Sequence, residues 1–234
     1  MSKAEKNNID FFSTDESVEK EYNKNNLFVI EYKLINKYFE KSEKILDLGC
    51  GRGRTTVPLH KINYNVVGID PSEEMINAAR KDNPQIDYRR GNACKLVFND
   101  NEFGFILFSW NGIDYIYPES RRIKALKEMR RVLKPGGILI FSSHNSIMFS
   151  YSISKLNWIL KLLKWNLKEN LFKKYLFKKY SSGKLLSYHI LPSKQMEQLK
   201  DLNFETLEIR SPWLQEGFIK FINDWLYYVA RNNK

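Results

Sequence analysis

Asp47-Leu48-Gly49-Cys50-Gly51-Arg52-Gly53-Arg54 follows a short run, Lys44-Ile45-Leu46, and leads into residues 55–62, which have helical spacing. A strand, three glycines at alternate positions and a helix make a turn where a ligand can approach backbone. A dinucleotide fingerprint, G-x-G-x-x-G, needs its third glycine one place later, where Arg54 stands. A bulky arginine there fits poorly with a pyrophosphate lying against a close-packed helix, and Asp47 repels phosphates. An acid beside such a loop suits a ligand carrying a positively charged amine. A second acid, Asp70, ends the next apolar run 21 residues after Gly49. A carboxylate at the tip of a neighbouring strand can accept hydrogen bonds from both hydroxyls of a ribose. The pattern points to a nucleoside with a cationic tail and away from a nicotinamide dinucleotide.

Outward from the loop, strands and helices alternate. Residues 27–39 read as a helix, 44–48 as a strand, 55–62 as a helix and 64–69 as a strand. Residues 72–81 form a helix with Ser72 as N-cap and Glu73 and Glu74 in its first turn, which suits the helix dipole. Residues 86–89 and 105–110 are strands, the second apolar enough to be central and covered on both faces. Residues 121–133 are helical, with Ile123, Leu126, Met129 and Leu133 on one face and basic residues on the other. Pro135-Gly136-Gly137 stops that helix before a strand at 138–141. A helix at 193–202 and strands at 204–209 and 225–230 complete the order. The expected fold is α/β: a seven-stranded, mostly parallel Rossmann-like sheet with helices on both faces and a helical insertion between strands five and six. One domain is expected over 1–234, with a core at 44–142, the insertion at 146–185 and a C-terminal helix and strand pair at 193–230. Residues 1–26 are polar and read as a loose arm.

Composition limits the alternatives. An apolar fraction of 43% with 14% aromatic residues excludes a disordered chain. No stretch reaches the roughly 20 apolar residues of a spanning helix, and the N-terminus lacks a signal-peptide core. Two cysteines, Cys50 and Cys94, form no disulfide framework, so a cytoplasmic location is expected. Three scattered histidines and two distant cysteines offer no metal-ligand spacing. The net charge of +11 is concentrated: residues 151–185 hold nine lysines against one acid. Within that segment, residues 153–165 read as a helix with two apolar arcs, and 171–180 as a second helix. Such a segment can be an acceptor-covering lid with snorkelling lysines, a grip for RNA, or a peripheral membrane contact.

Lys44 to Arg54, together with Val67-Gly68-Ile69-Asp70-Pro71-Ser72-Glu73-Glu74-Met75, resembles motifs I and II of the class I, Rossmann-like S-adenosylmethionine-dependent methyltransferases of the type 11/25-like kind. Arg90-Gly91-Asn92-Ala93 resembles their "GDA" motif, and Met129 to Gly137 resembles the segment before their fifth strand. The likeness covers residues 44–142. It implies S-adenosyl-L-methionine as cofactor. Asp47 and the loop Gly49, Cys50, Gly51 and Gly53 would face its methionine part. Asp70 and Pro71 would lie at the ribose, Met75 near the adenine, and Asn92 and Ala93 at the adenine edge. Trp110 and Asn111 would close the pocket. Asn92 replaces the family's usual Asp and offers a neutral amide oxygen. The resemblance says little about the acceptor, because the fold serves many.

Methyl transfer is an in-line displacement, so the protein must align the partners and, for a hydroxyl or ammonium acceptor, supply a base. The candidates follow strands four and five: Asn111 to orient the acceptor, and Asp114 or His144 to take a proton. His189 is a third position of interest. The leading expectation is O- or N-methylation of a small molecule or a glycan- or lipid-linked acceptor. Two further readings stay open, an RNA or protein methyltransferase gripping through 151–185, and a non-catalytic cofactor-binding protein.

Overall fold

The computed structural model describes residues 2–14, 26–146, 175–180, 183–213, 216–217, 221 and 223–234. Its helices are α1 (Lys3–Thr14), α2 (Val29–Tyr38), α3 (Thr56–Lys61), α4 (Glu73–Asp82), α5 (Glu119–Val132) and α6 (Pro192–Asp201). The strands are β1 (Lys44–Leu48), β2 (Asn65–Asp70), β3 (Asp87–Arg90), β4 (Phe103–Phe108), β5 (Leu133–Asn145), β6 (Tyr175–Tyr180), β7 (Gly183–Ile190), β8 (Phe204–Arg210) and β9 (Trp225–Asn232).

Seven of these strands make the expected sheet, in the order β3-β2-β1-β4-β5-β9-β8, parallel from β3 to β5 and antiparallel at β9 and β8. All six residues of β4 are buried, as its apolar run requires of a strand covered on both faces. One apolar cluster, including Leu46, Val67, Ile106, Leu126 and Met129, packs on one side of the sheet. The other, including Ile30, Leu34, Ile45, Phe105 and Ile140, packs on the opposite side. These two layers fix the carboxyl ends of β1, β2, β4 and β5 along one edge of the molecule. α4 starts as expected: the Met75 amide donates to the Ser72 hydroxyl, with Glu73 and Glu74 in the first turn and Arg80 and Lys81 in the last.

Two expectations need correction. Residues 175–180 are a strand, not a helix: β6 pairs antiparallel with β7, and β7 joins the end of β5 through His144↔His189 and Asn145↔Ile190. The hairpin brings the sheet to nine strands among the described residues. The mixture of Lys with Leu, Phe and Tyr there leaves the period ambiguous, and antiparallel pairing with β7 decides for the strand. The proposed two-arc helix at 153–165 lies outside the described residues. So do all of the nine lysines except Lys178, Lys179 and Lys184, which stand on the hairpin.

The second correction concerns the N-terminus, where residues 3–14 form α1 rather than a loose arm. The Asn8 amide nitrogen donates to the Tyr115 carbonyl (3.1 Å) and the Leu186 carbonyl (2.8 Å), and its oxygen accepts from Leu186 N (3.0 Å). Arg121 donates to Glu5 at 3.0 Å, and the Ser13 hydroxyl meets that of Ser72 at 2.8 Å. The docking face is built largely of polar side chains with specific partners. A hydrophobic-periodicity reading therefore passes over it.

Candidate functional site

Along the carboxyl edge of the sheet lies a partly open cavity of about 140 Å³. Its floor is the loop after β1 and its far wall the end of β4, while α1 contributes Glu5, Asn8, Ile9 and Phe12. Of the residues picked out from sequence for cofactor binding, Asp47, Gly49, Cys50, Asp70, Pro71, Met75, Asn92, Ala93 and Trp110 line it. Gly51 and Gly53 stand behind the lining and shape the turn. Gly53 has φ +99°, and a Cβ there would fall 2.2 Å from the Tyr88 hydroxyl. The glycine therefore permits both a left-handed backbone and the close approach of β3 to the loop.

Two carboxylates organise the floor. Asp47 is buried, and the hydroxyls of Thr55 and Thr56 each donate to its Oδ2 at 2.6 Å. Burial pushes its carboxyl up to about 6, against the pull of those hydroxyls and of Arg54. At the tip of β2, Asp70 accepts from Gly51 N (3.0 Å) at Oδ2 and from Ser72 N (2.9 Å) at Oδ1. Burial raises it too, to about 6, with the two amides opposing. Asp70 thus ties the glycine loop to the start of α4. The Asn92 oxygen accepts from Cys94 N (2.8 Å), so that side chain braces the turn after β3.

Arg54 takes no anion from the cavity. It forms a paired contact with Glu31 of α2, Nη1 to Oε2 at 3.0 Å and Nη2 to Oε1 at 2.8 Å, and also donates to Asn26 O and Ser109 Oγ. Glu31 further accepts from Ser109 and from Tyr227 of β9. Phe28 and Trp110 place their rings over the guanidinium. Sequence reading missed this partner, because a single Glu within a helix carries no local signal of a contact 23 residues away.

Beside the cavity, the ends of β4 and β5 assemble a second polar cluster. Trp110 and Asn111 both take left-handed backbone, φ 50° and 58°, and turn the chain sharply after β4. Asn111 N donates to the Ser142 hydroxyl at 2.7 Å. Asp114, fully buried in the 3-10 turn Gly112–Tyr115, accepts from Ser143 Oγ (2.8 Å), from His144 N (2.5 Å) and from the His144 ring at Nδ1 (2.9 Å). The three residues picked out for catalysis thus meet: the Asn111 amide nitrogen lies 3.4 Å from His144 Nε2. They do not line the cavity. His144 stands next to it, edge-on to Tyr115, which does. His189 stacks on His144 with ring centroids 4.7 Å apart, because β7 pairs with β5 in that register. In the tautomer whose Nδ1–H donates to Asp114, Nε2 is the accepting nitrogen.

Among the described residues no group of three His, Cys, Asp or Glu side chains could hold a metal ion. None of their helices is long and apolar enough to cross a membrane.

Residues 45–137 match the family model of a methyltransferase domain. Part of the chain is 39% identical over 115 residues to a probable methyltransferase, ltbC, of Aspergillus luteorubrus, covering 44% of this chain and 40% of that one. It is 36% identical over 100 residues to a demethylmenaquinone methyltransferase of Paenarthrobacter aurescens, covering 43% and 38%. The chain spans about two fifths of the length of these relatives. Among solved structures, a SAM-dependent methyltransferase of Methanosarcina mazei superposes with a TM-score of 0.67 at 23% identity, over 86% of this chain and 97% of that one. At that identity the likeness is one of fold, and it covers more of the chain than the matched region does. Over residues 45–137 the chain is therefore similar to methyltransferase domains, and it has a Rossmann-like fold.

Proposed function

We propose that the protein transfers a methyl group from S-adenosylmethionine to a hydroxyl of a small-molecule acceptor. The cofactor half rests on the cavity floor. Its donor set fits an adenosyl sulfonium: a carboxylate at the tip of β2 for a ribose diol, and two acids near a cationic group. Pro71, Met75, Ala93, Ile9 and Phe12 provide apolar surface for a flat base. It fits a dinucleotide poorly, since Arg54 is engaged by Glu31 and two carboxylates face the space a pyrophosphate would need.

When bound, that cofactor supplies a methyl group on a good leaving group, and the chain's own residues do the rest. Asp70 would hold the ribose, and Asp47 with the loop Gly49–Gly53 would hold the methionine end. His144 would accept the acceptor's hydroxyl proton at Nε2 during the transfer. Asp114 would keep the ring in the tautomer that leaves Nε2 unprotonated, and Asn111, beside Nε2, would orient the acceptor against it. The observation that carries the hydroxyl reading is the Asp114–His144 pair, since a general base gains typically 10²–10⁴-fold where a proton must leave during transfer.

Incubation with methyl-labelled cofactor and fractionated extract tests this. Label is expected in a small-molecule fraction, as an ether stable to mild base. Label only in RNA or protein would contradict the acceptor class, and no label in any fraction would contradict transfer.

A further inference from the structure

Arg122 is the residue least expected from the sequence. α5 should turn its basic side chains outward, yet Arg122 is completely buried. It donates through Nη1 to Gln198 Oε1 (2.6 Å) and through Nη2 to Gln195 Oε1 (2.6 Å), both on α6, and lies over the Tyr188 ring of β7 at 4.5 Å. Its Nε has no hydrogen-bond partner and stands 3.6 Å from Asp114 Oδ1. Both members of that pair are 0% exposed. A buried charge without a counter-charge is very costly, so each accounts for the other's presence.

We propose that Arg122 is a positioning residue for His144: it neutralises Asp114, so that the carboxylate orients the imidazole without drawing a second proton onto it. The inference rests on the reading of His144 as the base. A carboxylate in hydrogen-bond contact with an imidazole favours the doubly protonated ring, and that ring has no lone pair with which to accept a proton. A fixed positive charge behind the carboxylate offsets that field, strongly so away from water. The geometry of the Asp114 hydrogen bond is kept while its electrostatic pull is reduced.

The surroundings match this role. The guanidinium is gripped on its far side by two neutral amides and an aromatic ring, and none of them adds an anion to compete with Asp114. Glu119, also on α5, is occupied: the Tyr188 hydroxyl donates to it at 2.8 Å and the Gln198 amide at 3.2 Å. Around the His144 ring stand Asp114 and Tyr115 from the 3-10 turn, Asn111 from the end of β4 and His189 from β7. Of these Asp114 is the acid, and Arg122 is the basic residue set against it.

Nitrogen-15 NMR of the imidazoles in the ligand-free full chain at pH 7 reads the outcome without any turnover, with His144 assigned by loss of its signals in H144Q. The wild-type ring is expected to carry one proton, on Nδ1. In R122Q both nitrogens should be protonated, and R122K, which keeps the charge, should return the ring towards the singly protonated form. A singly protonated His144 in folded R122Q would overturn the proposal. Should R122Q not fold, the double variant R122Q/D114N decides. Removing both charges is expected to restore stability relative to R122Q alone, and no restoration would overturn the proposal. If H144Q leaves turnover unchanged, the base reading fails, while the NMR result still stands or falls by itself.

Discussion

The two ends of the site are built in opposite ways. The floor below β1 and β2 is made from consecutive residues: Asp47, the glycine turn and Thr55 and Thr56 lie within ten positions, and Asp70 closes the group through one backbone amide. The cluster beyond β4 and β5 draws on five elements: Asn111 and the 3-10 turn, β5, α5, α6 and β7. A floor set by local backbone geometry can be shared by many relatives, and the family model ends at residue 137, before His144. The part that would choose an acceptor is tertiary. Substitutions on the two sides should therefore separate cofactor binding from turnover.

The largest effect is expected on the tertiary side. H144Q should lower kcat by about 10²–10⁴-fold, the usual worth of a general base, with cofactor affinity unchanged in calorimetry. A parallel loss of affinity would merge the two regions. On the floor, D70N should weaken cofactor binding by about 100-fold, or about 3 kcal/mol, the upper range for hydrogen bonds to a charged group, while the fold survives. Unchanged affinity would move the ribose elsewhere. Next comes G53A, which forces a side chain into left-handed backbone and against Tyr88. A loss of about 2–4 kcal/mol in denaturant unfolding is expected.

A smaller and graded effect follows from pH. Asp47 and Asp70 are both raised from about 3.8 to about 6 by burial. The folded chain therefore holds these protons at a pH where the unfolded chain has lost them. Ligand-free stability should fall as pH rises from about 4 to about 6. A cationic ligand reverses the preference, because it favours the ionised acids. Its affinity should rise over the same window, at most about tenfold per pH unit for each proton released. Flat affinity between pH 5 and pH 7 would argue against a cationic group near these acids. The smallest effect is S72A, expected to cost about 1–2 kcal/mol through the lost N-cap and the lost hydroxyl contact with Ser13.

What could be read from the sequence follows the same division. The positions of seven strands along the chain, the α4 cap and the residues of the floor all come from short patterns whose physics is local. Where a pattern depends on partners far along the chain, reading fails in a specific way. α1 was passed over because Asn8 docks by hydrogen bonds to Tyr115 and Leu186 and not by an apolar stripe. Arg122 was assigned to the surface because charge alone marks a residue as exposed, and only Asp114, Gln195 and Gln198 make its burial tolerable. His189 stood out as a residue but not as a neighbour of His144, since the pairing of β7 with β5 is visible only in three dimensions.

Calorimetric titration of the full chain with S-adenosylmethionine at pH 7 tests the central claim most directly. The account predicts uptake at a single site, lost or strongly weakened in D70N and intact in H144Q. Absence of heat with that compound, alongside tight uptake of a nicotinamide dinucleotide, would contradict it.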